Sequence, residues 1–121
     1  PGGDQPLASQ RVYTLGATSA ATAAMAAMVS ALGGCTIPGL TLTPASGEQG
    51  RISIRGFSNT DGASGWVALV RRGADLTYIE LWESTRATSS YTRAQMQGLA
   101  EIASERLAVW GSRGSAVGAS T

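Results

Sequence analysis

The stretch that decides the fold is Trp66-Val-Ala-Leu-Val-Arg-Arg72, then Gly73-Ala74, then Asp75-Leu-Thr-Tyr-Ile-Glu-Leu-Trp-Glu83. Two runs of β-forming residues flank a two-residue connection that begins with glycine. Glycine at the first position of such a loop is typical of a type II′ hairpin turn, because that position requires a positive φ. The stretch therefore predicts two antiparallel strands joined by a tight turn.

The predicted turn also fixes the pairing register of the two strands. Arg72 should face Asp75, Val70 should face Thr77, Ala68 should face Ile79 and Trp66 should face Leu81. One face of the hairpin then carries Trp66, Ala68, Val70, Thr77, Ile79 and Leu81. The opposite face carries Val67, Leu69, Arg71, Leu76, Tyr78, Glu80 and Trp82. Both faces are largely apolar, so we expect each to need a cover, which could be a helix, a partner or a ligand.

The composition is that of a single domain with little chemistry. The chain has 121 residues, of which 43% are hydrophobic and 14% charged, with a net charge of +1. This balance lacks the electrostatic footprint of a nucleic-acid binder. There is no histidine and Cys35 is the single cysteine. The sequence therefore predicts no zinc site, no intrachain disulfide and no cofactor.

Periodicity predicts the other elements of the fold. Strands are expected over 11–15, 40–43 and 51–57, and amphipathic helices over 20–32 and 93–110. The resulting order is β-α-β-β-β-β-α, an α+β fold with an antiparallel sheet of about five strands and two helices packed on it. In the simplest arrangement both helices cover the same face. We predict one domain over 11–110, a flexible leader over 1–10 and a disordered tail over 111–121.

The ends of the helices carry start and stop signals. Thr18 or Ser19 is expected to cap the first helix, and Gly33-Gly34 to end it. Thr92 and Gln95 have the spacing of a capping box, and Tyr91 before them can form a hydrophobic staple. An alternative for the first helix is a signal peptide, because Leu32-Gly-Gly-Cys35 is similar to a lipoprotein cleavage site. Its many Ala, Thr and Ser residues favour a helix of the domain.

Several of these strings together resemble the extracytoplasmic sensor domains of actinobacterial proteins. They are the strand at 10–15, the alanine-rich helix at 20–32, Gly34-Cys35, the strand and turn at 67–73 and the closing helix at 93–109. Such domains occur on receptor-type Ser/Thr kinases and as exported or lipid-anchored proteins. The resemblance covers about 10–110 and implies a sheet with helices, a ligand-receiving cleft, no catalytic motif and an extracytoplasmic location, secreted or membrane-tethered.

The cysteine departs from the pattern of that family. Family members usually pair the cysteine at this position within their own fold, whereas Cys35 has no second cysteine in the chain. Its thiol is then either free or joined to another chain in an interchain disulfide. We expect no catalytic role for Cys35, because the chain has no histidine to activate it.

The second hairpin face is the main candidate for a binding site. If both helices cover the face that bears Trp66, the other face stays open, and exposed apolar clusters of that size usually mark interaction sites. The predicted ligand- or partner-binding residues are Val67, Leu69, Arg71, Tyr78, Glu80 and Trp82. The alternative is that a helix or the leader covers this face and makes it ordinary core.

Two other clusters are candidate sites. Arg55, Arg71 and Arg72 could form an anion-binding patch if their strand ends meet, or they could lie on a solvated edge where Arg72 pairs with Asp75. Glu80 and Glu83 are three residues apart on a strand and point to opposite faces, so they do not form an acid–base pair.

The sequence favours a non-enzymatic ligand-binding or sensor domain that recognises a small molecule or a protein partner on the open sheet face. One alternative is a homodimeric structural module that buries the same face against its copy. A second is a small enzyme of the α+β-barrel type, which would depend on Asp61, Asp75 and the glutamates.

Overall fold

A computed structural model describes residues 7–34, 38–60, 64–83 and 92–120, with side chains at 8–34, 38–60, 64–82 and 92–109. The elements are β1 (Leu7–Thr14), α1 (Thr18–Gly33), β2 (Leu40–Leu42), β3 (Ile52–Asn59), β4 (Ser64–Arg72), β5 (Asp75–Glu83) and α2 (Arg93–Ser120). This order confirms the predicted α+β fold of five strands and two helices.

The five strands form one antiparallel sheet in the order β1-β5-β4-β3-β2. The hairpin register is the predicted one, with Arg72 opposite Asp75 and Trp66 opposite Leu81. Gly73 has a φ of 59°, the positive value that favoured glycine at the start of the turn. β1 is paired only along one side, with β5, so it forms one edge of the described sheet, and β2 forms the other.

The two helices lie on opposite faces of the sheet, which corrects the expectation that both share one face. α2 packs on the face that bears Ala68 and Val70, and α1 packs on the face that bears Leu69 and Leu76. The chain has to pass from β1 at one edge to β2 at the other, and α1 makes this crossing. The result is a three-layer arrangement with the sheet in the middle, which removes apolar surface from water on both faces.

The core against α2 is the larger of the two. Its buried members are Ile52, Ile54, Ala68, Val70, Leu81, Met96, Ala100, Ala103 and Leu107. The core against α1 has the buried members Met25, Leu69 and Leu76, with half-buried neighbours that include Leu15 and Met28. α1 is therefore attached to the sheet by few large side chains, and most of its other residues are exposed.

Two arginines connect α2 to the side of the sheet formed by β2 and β3. Arg93 donates to Thr43 Oγ1 at 3.0 Å and lies over the ring of Trp66, 5.4 Å from its centroid. Arg51 donates to Glu101 Oε1 at 3.0 Å and also pairs with Glu48. These contacts lie on the flank of α2 that faces β3, so they orient the helix over β3 and β4.

The two helix starts differ in how they are capped. Ala17 occupies the cap position of α1 and no side chain bonds to the cap, so the prediction of Thr18 or Ser19 as its cap was wrong. At α2 the capping box is confirmed, because Thr92 N donates to Gln95 Oε1 at 2.8 Å and Gln95 N to Thr92 Oγ1 at 3.1 Å. The staple from Tyr91 lies outside the described residues.

The first strand and the last helix are longer than predicted. β1 begins at Leu7, because 7–10 pair with β5 although their side chains show no apolar alternation. α2 extends to Ser120, past Trp110 where its apolar stripe ends, and so includes 111–120. Over the described residues, no helix combines the length and apolarity needed to cross a bilayer.

Candidate functional site

The sheet face predicted to be open is covered in its middle by α1. Leu69 has 0% of its surface exposed and packs with Met25 of the helix, and Val67 is also buried. The prediction of an open face at these two residues was wrong, since it assumed that both helices lie on the other side. Towards the β1 edge the face is less covered, and Tyr78, Glu80 and Trp82 are half-buried there.

Three of the predicted site residues meet in one hydrogen-bonded cluster. The hydroxyl of Tyr78 donates to Glu80 Oε2 at 2.7 Å, and the indole Nε1 of Trp82 donates to Glu80 Oε1. They are alternate residues of β5, which places their side chains on the same face. A carboxylate has about four acceptor positions, so Glu80 keeps capacity for a further donor.

Trp82 is held in place by the strands beside it. Its ring packs against that of Phe57, with 4.2 Å between centroids and 59° between planes. Gly65 lies between these two residues in the register, opposite Phe57 on β3 and opposite Trp82 on β5. Because Gly65 has no side chain, the two rings meet above it. The indole donor to Glu80 is thus fixed by packing across three strands.

A pocket of about 370 Å³ lies between the β1 edge and α1, next to this cluster. It is lined by Ser9, Arg11, Tyr13, Met28, Tyr78 and Glu80. The pairing of β1 with β5 sets Ser9 opposite Glu80 and Arg11 opposite Tyr78. The pocket therefore has one guanidinium, one carboxylate and two phenol rings in its wall.

Sequence reasoning found Tyr78 and Glu80 but missed the β1 half of the pocket. Ser9 fell within the predicted leader, and Arg11 in the predicted strand was not assigned to a site. The signal that could have found them is the unpaired side of β5. A strand whose two faces are both apolar is usually central in its sheet, so a second neighbour for β5 was to be expected.

Burial raises the pKa of Tyr78 above its ordinary value, and the hydrogen bond to the carboxylate of Glu80 raises it further. Both effects disfavour the phenolate, since it would be poorly solvated and would lie against a negative charge. Arg11 acts weakly in the opposite direction. At neutral pH Tyr78 is therefore a hydrogen-bond donor to Glu80 and has no character of a base.

This raised pKa predicts a loss of stability in alkali. Tyrosine in an unfolded chain loses its proton near pH 10, whereas Tyr78 in the folded protein keeps it to higher pH. Above about pH 10 the folded state binds more protons than the unfolded state, so the free energy of unfolding should fall as pH rises. Urea unfolding at a series of pH values measures this. Tyr78→Phe should flatten the decline; a decline as steep in Tyr78→Phe as in the wild type would contradict the prediction.

A second cavity, of about 560 Å³, lies on the other side of α1. Met25, Val29 and Ile52 give it apolar walls, and the loop that contains Ser46 and Gln49 closes one side. Its lining includes no charged side chain, in contrast to the pocket beside β1. None of the predicted site residues lies in it.

The structure does not bring the three candidate arginines together. Arg71 donates to the carbonyls of Gly50 and Gly73, at 2.8 and 3.0 Å, at the hairpin end of the sheet. Arg72 donates to Ser104 Oγ at 3.4 Å. The predicted ion pair between Arg72 and Asp75 is absent among the described residues, where both ion pairs are made by Arg51.

Arg55 lies near the C-terminal end of α1, where its terminal nitrogen approaches Gly33. It donates to the Thr43 carbonyl at 3.2 Å, and its Nε is buried without a hydrogen-bond partner. It lies on a different strand from Arg71 and is opposite Val67, four residues before Arg71 on β4. These three side chains therefore form no common anion site.

Among the described residues, no group of three or more His, Cys, Asp or Glu side chains is placed to hold a metal ion. Cys35 and Asp61 lie outside the described residues, so the interchain disulfide stays a prediction. Asp75 is buried beside the hairpin turn and does not line the pocket beside β1. The chain matches no known protein family, no curated protein and no solved structure.

Proposed function

We propose that the protein is a non-enzymatic binding domain that recognises a small zwitterionic molecule in the pocket between β1, β5 and α1. The observation that carries this proposal is the position of Glu80, whose carboxylate is fixed by two donors and lines a pocket that also contains Arg11. A pocket with one fixed negative group and one positive group is complementary to a ligand that carries both charges.

The size and the walls of the pocket support this ligand class. A volume of about 370 Å³ lies at the lower end of the usual range of small-molecule sites, which suits a molecule of amino-acid size. Arg11 provides a planar guanidinium for a carboxylate. Glu80 can accept from an ammonium group, and Met28 with the rings of Tyr13 and Tyr78 provides contact for an apolar body.

The binding role extends the sequence expectation of a sensor domain. Rigid positioning of Trp82 and Glu80 favours recognition with little rearrangement of the site. We propose that the domain works extracytoplasmically, secreted or tethered through a segment outside this chain, as the sequence resemblance implies. A catalytic role has less support, because Tyr78 is held protonated and no acid–base pair lines the pocket.

A titration with phenylalanine, monitored by tryptophan fluorescence, tests the proposal. We expect a saturable change, because Trp82 donates to the carboxylate that would receive the ligand ammonium. Phenylalaninamide, which lacks the carboxylate, and N-acetylphenylalanine, which lacks the ammonium, should each bind at least about tenfold more weakly, since each loses one charged contact worth about 1.4 kcal/mol or more.

Matched variants test which residue binds the carboxylate of the ligand and which binds its ammonium group. Arg11→Gln should weaken phenylalanine binding about tenfold and remove the preference over the amide, and Glu80→Gln should remove the preference over the N-acetyl compound. The controls are Arg106→Gln and Glu105→Gln, exposed positions on α2 that should leave binding unchanged. Absence of saturable binding by phenylalanine, or equal effects of the pocket and control variants, would contradict the proposed ligand class.

A further inference from the structure

The edge strand β1 is long and exposed. It has eight residues, and each side chain described in it, from Ala8 to Thr14, is exposed. Val12 keeps 42% and Tyr13 38% of its surface in solvent, on opposite faces of the sheet. No proline interrupts the strand and Arg11 is its one charged residue, although prolines and charged side chains are the usual protection of an edge strand.

The backbone of β1 presents its alternate groups outward. Leu15 N donates to the Ala74 carbonyl across the end of the β1–β5 pair. Because inward and outward groups alternate along an antiparallel pair, the odd-numbered residues of β1 bond to β5. The N–H and C=O groups of Ala8, Gln10 and Val12 therefore point away from the sheet, in position to accept another strand.

Charge and the number of paired residues together select one symmetric way of pairing this edge with a copy of itself. An antiparallel pairing through the outward groups can be centred on residue 9, 10, 11 or 12. Centring on Arg11 sets two guanidinium groups opposite each other, which is unfavourable. Centring on Ser9 pairs only residues 7–11, and centring on Val12 pairs only residues 10–14. Centring on Gln10 pairs residues 7–13 and brings no like charges opposite.

We infer that the protein forms a two-fold dimer in which the β1 strands of two copies pair antiparallel with Gln10 at the centre. Val12 then lies opposite Ala8 of the second copy, on the α2 side of a continuous sheet of ten strands, twice the five of one copy. Leu99, which is 41% exposed, lies on the flank of α2 that faces this edge. An isologous contact of this kind is closed by its own symmetry.

On the α1 side of the sheet, the same register brings opposite charges of the two copies near each other. Arg11 lies opposite Ser9 of the second copy, and Ser9 is itself opposite Glu80. Neighbouring strands are about 4.8 Å apart, so Arg11 and Glu80 of the second copy are two strands apart with only a serine between them. Their opposite charges attract each other across this serine and favour the register. Each pocket beside β1 would then gain part of its wall from the second copy.

Sedimentation velocity over a range of protein concentrations tests the dimer. Val12→Lys should weaken dimerisation at least about tenfold, since it places a charge in the paired edge. Gln10→Pro should do the same by removing an outward N–H that β5 does not use. Thr41→Lys, on the opposite edge strand, is the matched control and should dimerise like the wild type. Circular dichroism and thermal unfolding establish that each variant is folded.

Cysteine cross-linking in a Cys35→Ser background tests the pairing register directly. At the centre of the pairing, the two copies of residue 10 should have Cα atoms about 5.5 Å apart, within the range that a disulfide spans. Gln10→Cys should therefore form a covalent dimer under mild oxidation, more rapidly than Ser9→Cys or Arg11→Cys.

Any of three results overturns the inference. A wild-type protein that stays monomeric at all concentrations has no such dimer. A dimer that Val12→Lys and Gln10→Pro leave intact, or in which Ser9→Cys or Arg11→Cys cross-links as fast as Gln10→Cys, is formed elsewhere or in another register. None of these readouts involves a ligand, so the inference stands or fails separately from the proposed binding role.

Discussion

Gly65→Ala is expected to lower the free energy of unfolding by about 3 kcal/mol, at the upper end of the usual cost of overpacking. A methyl group at this position would lie 2.5 Å from Cζ of Phe57 and would overlap the carbonyl oxygen of Leu81. The backbone oxygen cannot move without disturbing the pairing of β4 with β5. The added group would also separate the rings of Phe57 and Trp82, and so displace the indole from Glu80.

The same substitution at Gly98 is the control and should have the opposite sign. Gly98 lies in α2 with nothing within 4 Å of the position of an added methyl group. Alanine should stabilise the helix there by about 0.5–1 kcal/mol. Urea unfolding of both variants measures the difference. A Gly65→Ala protein as stable as the wild type would contradict the close crossing of the two rings over β4.

Leu69→Ala is expected to cost about 3 kcal/mol, within the range of 2–5 kcal/mol found when large buried side chains are truncated. Leu69 is fully buried, and it is one of the three buried residues through which α1 packs on the sheet. The cavity would therefore open directly beneath the helix. Amide hydrogen exchange should show that α1 loses more protection than α2, because α2 packs on the other face.

Leu99→Ala provides the comparison for this truncation. Leu99 is 41% exposed on α2, so removing the same group should cost less than about 1 kcal/mol, since less apolar area returns to water. The comparison should be made at low protein concentration, where the inferred dimer does not contribute. Equal costs for the two variants would mean that Leu69 is accessible to solvent and that α1 does not cover this face.

Local signals in the sequence were sufficient for the elements and for the hairpin. The register around Gly73 and the capping box at Thr92 were predicted correctly, because each depends on residues a few positions apart. The placement of α1 was not, since the pattern gives each element an apolar side but does not say which helix covers which face. The apolar runs on both sides of β4 and β5 required covers on both faces, and the three-layer arrangement provides them.

Part of the candidate site could likewise be predicted from local sequence, and part could not. Tyr78, Glu80 and Trp82 lie on one strand, so their common face could be predicted from the two-residue period alone. Arg11 and Met28 join them only through the pairing of β1 with β5 and the path of α1 over the sheet. These are contacts between distant parts of the chain, and nothing in the polar sequence around Ser9 indicated them.

The most direct measurement of the central claim is an NMR titration of the ¹⁵N-labelled protein with phenylalanine. The proposed function predicts saturable shift changes at amides beside the pocket, in β1 around Arg11, in β5 around Tyr78 and Glu80, and in α1 around Met28. Amides of α2 near Glu105 should remain unchanged. Unchanged spectra, or changes centred on the apolar cavity that Val29 and Gln49 line, would contradict the assignment of binding to the pocket beside β1.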